Sequence, residues 1–111
     1  MSKPLNPKLI QLKDLQTSRK RLLSQKNANQ TYLKELKDSN DKATQKALEH
    51  VYKTALEGLE KSIQSIEHLM KKIISDDDGL QKNYDLLISV PGIGKITAIY
   101  LTVRRCDCLH Q

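Results

Sequence analysis

The sequence predicts an all-α fold, a long antiparallel coiled-coil helical hairpin followed by two shorter helices about a tight turn, on three observations. Aliphatic residues recur at three-four spacing through most of the 111 residues, which is the period of a helix face and not of a strand. The chain has no Phe or Trp and only four Tyr, at positions 32, 52, 84 and 100. It therefore lacks the bulky rings that usually fill a compact core, and an elongated helical shape suits it better. Pro91, Gly92 and Gly94 interrupt an otherwise aliphatic C-terminal stretch, "DLLISVPGIGKITAIYLTV". At this length the chain is at most one ordinary domain.

The first helix is expected to start at Asn6-Pro7, because Asn is a favoured N-cap and Pro is tolerated at the first helical position. Leu5, Leu12, Arg19, Lys26 and Leu33 fall seven apart, and Leu15, Leu22, Asn29 and Leu36 form a second series offset by three. Together they make an a/d seam. Arg19, Lys26 and Asn29 leave it imperfect, with long side chains at its edge, while Leu9 and Leu23 widen the apolar stripe. The polar interval "KDSNDKATQ", Lys37 to Gln45, is rich in side chains that bond their own backbone, and the helix should break there.

A second seam begins at Tyr52 and runs through Leu59, Ile66 and Ile73, with Leu56, Ile63 and Met70 as its alternate series. Gly58 costs this helix about 1 kcal/mol relative to Ala, which the seam can absorb. It should end at "SDDDG", residues 75–79. Two helices of about 30 residues, each roughly 45 Å long, joined by a short polar loop, are expected to lie antiparallel. Each would bury only a narrow stripe, so a homodimer is expected to complete the hairpin.

"LQKNYDLLISV" reads as a third helix, with Asp76, Asp77 and Asp78 supplying caps and negative charge at its start. Leu80, Tyr84, Leu87 and Ile88 are expected on one face. Pro91 ends it, since the residue before a proline is pushed out of the α region. After Gly92-Ile93-Gly94, "KITAIYLTV" resumes as helix with Ile96, Ile99, Tyr100 and Val103 together. The organisation is thus a coiled-coil hairpin over residues 1–75, a helix-hairpin-helix motif over 76–105 and a tail over 106–111.

Charge is unevenly spread. Residues 1–50 carry 11 Lys and Arg against 5 Asp and Glu, whereas residues 51–111 carry 8 of each. The resulting excess suits phosphate contacts, though a solvated basic helix face looks the same in composition. No run approaches the roughly 20 apolar residues of a membrane span, and "MSKPLNPK" has no apolar signal-peptide core. The expectation is a cytoplasmic protein with no membrane association. Cys106, Cys108 and His110 offer three soft ligands where metal sites close with four, at a spacing unlike Cys-x2-Cys. They are read as an exposed, reduced tail. His50, His68 and His110 are scattered and form no nucleophile-base pair.

The turn carries the functional signal. Gly92 and Gly94 allow backbone angles closed to other residues and close approach of another backbone, and Ile93 can anchor the turn between its helices. The first amides of the following helix point outward and favour an anion. Lys95 adds charge and the Thr97 hydroxyl a hydrogen bond. Gly92, Ile93, Gly94, Lys95 and Thr97 are therefore the candidate DNA-binding residues, contacting the backbone without reading bases. The spacing is not that of a Walker loop.

"YDLLISVPGIGKITAIYL" resembles the helix-hairpin-helix DNA-binding motif, in the version that opens the C-terminal domain of insertion-sequence transposases of the one-ten/one-sixteen/nine-oh-two type. There the motif follows a long coiled-coil hairpin, as it follows "LEGLEKSIQSIEHLMKKIISDDDGLQKNYDLL" here, and the resemblance spans about Leu9 to Val103. It implies a protein in which a RuvC-like acidic nuclease domain precedes the coiled coil and a catalytic serine follows the motif. It also implies DNA recombination directed by a structured RNA, so a guide-like RNA is a partner by resemblance alone. Neither catalytic region has a counterpart in residues 1–111; Ser89 precedes the turn and the three aspartates suit capping better than a two-metal site. The expectation is a transposase fragment that supplies dimerisation and sequence-independent DNA-backbone binding, with no catalytic residue, cofactor or metal. The alternative is a stand-alone coiled-coil interaction protein whose turn is a structural cap.

Overall fold

The computed structural model describes residues 7–38 and 41–109, with side chains as far as Arg105. The fold is all-α, and the described residues form four helices: α1 (Pro7–Leu36), α2 (Lys42–Ser75), α3 (Asp78–Ile88) and α4 (Lys95–Leu109). Two compact units are formed, one from the chain up to Ser18 together with the chain from Ile66 onward, the other from Arg19–Ser65. The junction drawn from sequence at residues 75 and 76 lies inside the first unit.

The first unit holds the main core. Leu9 and Leu12 from α1, Met70 and Ile74 from α2, Leu80 and Tyr84 from α3, and Ala98, Ile99 and Val103 from α4 form one buried cluster. Leu15, Ile66, Ile73, Leu87, Ile93, Ile96 and Tyr100 pack on its edge. α1, α2 and α3 each deliver two residues three or four apart, and α4 delivers Ile99 and Val103 four apart with Ala98 beside them, one apolar face apiece. Lys8 Nζ donates to the Asp76 carbonyl at 2.7 Å and ties the start of α1 to the end of α2.

Several expectations are corrected here. Ile88, expected on the face of Leu80 and Tyr84, is exposed: each step of four residues drifts about 40° around the helix, so two steps from Leu80 bring it to the edge of the core stripe. Ile74, outside both heptad series, is fully buried. A strict seven-residue repeat overlooks it because four helices, and not two, converge at this level and require a wider face. α3 starts at Asp78, so Gly79 lies within its first turn. Asp77 is the N-cap, accepting Leu80 N–H on Oδ1 at 3.1 Å. The backbone of α4 stays helical through Leu109, so Cys106 and Cys108 continue a helix; their side chains and His110 lie outside the described residues, as do Leu5 and Asn6.

In the second unit the α1 and α2 segments run antiparallel. Lys26 Nζ meets Glu60 Oε1 at 2.9 Å, and the Tyr32 and Tyr52 rings have centroids 4.7 Å apart; partner numbers fall along α2 as they rise along α1. Leu36 and Ile63 are buried, while Leu22, Leu33, Tyr52, Leu56 and Leu59 are half-buried. Arg19, Lys26 and Asn29 are also half-buried, and Lys26 keeps its stem on the seam with its ammonium on Glu60. The helix break is shorter than expected. α2 begins at Lys42, within the polar interval, because Asp41 caps it: Oδ1 accepts from the Ala43 and Thr44 amides at 3.2 and 3.3 Å, and Oδ2 from Thr44 Oγ1 at 2.7 Å. The polar residues that compete with a helix interior are those that initiate one.

Candidate nucleic-acid interface

α3 closes on Ser89, whose amide donates to the Asp85 carbonyl and whose Oγ donates to the Leu86 carbonyl at 2.6 Å. Val90-Pro91-Gly92-Ile93 then forms a tight turn. Ile93 N–H donates to Val90 C=O at 3.3 Å and Gly92 has φ +90°. Proline at the second place and a positive-φ glycine at the third are the requirements of a type II turn. Ile93 is packed against the core, so the turn is pinned from beneath.

Gly94 stands immediately before α4. Its carbonyl accepts the Ala98 amide at 2.9 Å, the first bond of the helix, which leaves the amides of Lys95, Ile96 and Thr97 aimed out of the helix start. Gly94 has no positive φ, and a Cβ there would meet nothing within 4 Å. The expectation that both glycines need unusual angles or close packing within the protein thus holds for the angle of Gly92 and is corrected at Gly94. Gly92, Gly94, Lys95 and Thr97 are exposed and Ile93 is half-buried.

α4 is held against α3 by a residue that pattern reading passed over. Ala98 is fully buried, and its small side chain lets the helices approach closely. Thr102 is also fully buried, with Oγ1 donating to the Ala98 carbonyl at 2.7 Å, so its hydroxyl is satisfied without a cross-chain partner. An alanine and a threonine one turn apart on the face of Ile99 and Val103 were the available signal.

The charge around the turn is sparse. Residues 76–105 carry four basic and four acidic side chains. Asp76, Asp77 and Asp78 sit at the far end of α3, about 16 Å along its axis from the turn. Lys95 is thus the cation of the turn itself. Tyr84 is a core residue; burial, with Asp85 adding to it, pushes its phenol above the ordinary tyrosine value. Among the described residues no group of three or more His, Cys, Asp or Glu is placed to hold a metal ion, and no helix is long and apolar enough to cross a membrane.

The heptad residues are partly consumed within one chain. Ile63 and Met70 are buried, and Leu59, Ile66 and Ile73 half-buried, without a second copy. Comparison with known proteins finds no matching family model, no similar curated protein and no similar solved structure.

Proposed function

We propose that the chain binds the sugar-phosphate backbone of duplex DNA, without sequence preference, through the turn and helix start formed by Gly92, Ile93, Gly94, Lys95 and Thr97. The observation that carries this reading is the exposed junction itself: a type II turn anchored by Ile93 presents the uncapped amides of α4 beside an exposed Lys95 and Thr97. Outward amides, the helix dipole and an ammonium favour a phosphate. The empty space at Gly94 gives a phosphate room to approach the backbone.

In this reading the chain is the DNA-contacting and dimerising part of a transposase of the resembled type, cytoplasmic and without catalysis of its own. A guide-like RNA belongs to it by resemblance. Homo-oligomerisation would cover the half-buried seam positions Leu56, Leu59, Ile66 and Ile73. Sedimentation equilibrium checks that part, and a folded monomer at high micromolar concentration removes it.

The rival is a coiled-coil interaction protein in which Ile93 and Gly92 merely cap two helices, and the packing of Ile93 on the core favours it. Titration of a labelled duplex at two salt concentrations separates the two. Lys95→Ala is expected to leave helix content unchanged, weaken binding and lower the salt slope by about one unit. Unchanged affinity and slope would leave the turn a structural cap.

A further inference from the structure

The unit formed by Arg19–Ser65 has a concentration of positive charge that the turn does not use. It carries ten Lys and Arg against six Asp and Glu. Lys42, Lys46, Glu49 and Lys53 follow one another at spacings of four, three and four, so they lie along one face of α2. Lys34 and Lys37 are three apart at the end of α1 and the turn beyond it. Leu33, Lys34, Lys37, Glu49 and Lys53 line a single depression of about 260 Å³. Both segments therefore deliver lysines to one place.

Those lysines are not consumed by the fold. Among the described residues, Lys34, Lys37, Lys42, Lys46 and Lys53 have no ion-pair partner, unlike Lys26 with Glu60. Glu49, the carboxylate of the depression, is half-buried and accepts from Gln45 Nε2 at 3.2 Å. Like charges gathered around one depression repel, and a bound anion relieves that repulsion.

We propose that this depression and the lysine face of α2 hold the phosphodiester backbone of a nucleic acid, at a site separate from the turn. From Lys42 to Lys53 the face extends about 16 Å, against about 3.4 Å per charge along one strand of a duplex. It is long enough to meet several successive phosphates, whereas a lone small anion would leave Lys42 and Lys46 unused. An anionic membrane fits less well, because interfacial helices place large apolar residues beside their basic face. Among the described residues of this unit Val51 is the exposed large aliphatic, and at two residues before Lys53 it lies well around the helix from the lysines.

The test uses the whole chain with Lys34, Lys37 and Lys53 changed to Ala, and a control of equal charge with Lys20, Arg21 and Lys61 changed to Ala. All six side chains are exposed, and circular dichroism checks that helix content is kept. Labelled duplex DNA and labelled single-stranded RNA are titrated at two salt concentrations, with phosphatidylserine vesicles in parallel. The depression variant is expected to lose about tenfold or more in affinity for at least one nucleic-acid probe, with the salt slope lower by about three units, one per lysine. The control is expected to lose less than a third of that slope. Whichever probe responds identifies the strand. Equal losses in both triple variants would show that affinity follows net charge and would overturn the site. So would lysine-dependent binding to the vesicles with none to either nucleic acid. Complete loss of nucleic-acid binding from Lys95→Ala alone would overturn it as well, since the two sites are independent; the proposed function fails separately, if Lys95→Ala changes nothing.

Discussion

The two glycines of the turn have different duties. Gly92 has φ +90°, a region that costs an L-residue roughly 1–2 kcal/mol, while Gly94 has no positive φ and open space where a Cβ would stand. Gly92→Ala is therefore expected to lower stability by about 1–2 kcal/mol, and Gly94→Ala by less, about 0.5 kcal/mol, the loss of glycine for the poorer N-cap alanine with no positive φ to hold. Urea denaturation of both variants checks this; equal losses would show that Gly94 is also under constraint. If Gly94→Ala keeps stability and weakens DNA binding, the space at that position serves a ligand. The string Pro-Gly-x-Gly was legible as a turn, but which glycine needed its freedom was not. Both are chemically alike, and only the backbone path distinguishes them.

Among the elements, α2 shows how a cap decides where a helix begins. Hydrogen bonds from the Thr44 hydroxyl and amide hold the Asp41 carboxyl below the usual carboxylate value. The folded value is lower than the unfolded one, so the stabilisation is fully present above the ordinary carboxylate range and is lost as pH falls through the depressed value. Acid is thus expected to fray the first turn of α2, with faster hydrogen exchange at Ala43 and Thr44, whereas Asp41→Ala shows that fast exchange already at neutral pH. Slow exchange in the variant would mean that the cap does not hold the turn. Composition marked Lys37 to Gln45 as a break, because Asp, Asn and Ser disfavour helix interiors. It could not show that the break ends at Asp41, since an aspartate looks the same in a loop and at a cap until the next three residues are seen to be helical.

Burial is unequal across the whole molecule. The unit containing α3 and α4 holds a cluster of nine buried hydrophobic residues, while in Arg19–Ser65 the buried hydrophobic residues are Leu36 and Ile63. Local opening free energy rises with buried apolar contact, so amides of α4 and the end of α2 are expected to exchange through larger openings than those between Arg19 and Ser65. Native-state hydrogen exchange in denaturant checks this, and a single opening energy shared by both units would refute it. Helix identity, the seam series from Leu12 to Ile73, the aspartate cap of α3 and the tight turn were written locally, because periodicity, capping and proline geometry act over a few residues. The pattern also carried the candidate contact residues Gly92, Lys95 and Thr97. Tertiary structure alone decided that Leu9, Leu12, Met70 and Ile74 pack with α3 and α4 in one core, that Ile88 is left exposed at its edge, and that Lys34, Lys37 and Lys53 line one depression. Those outcomes depend on which apolar faces meet across long sequence separations, and an apolar stripe specifies that it must be buried without specifying the surface that buries it.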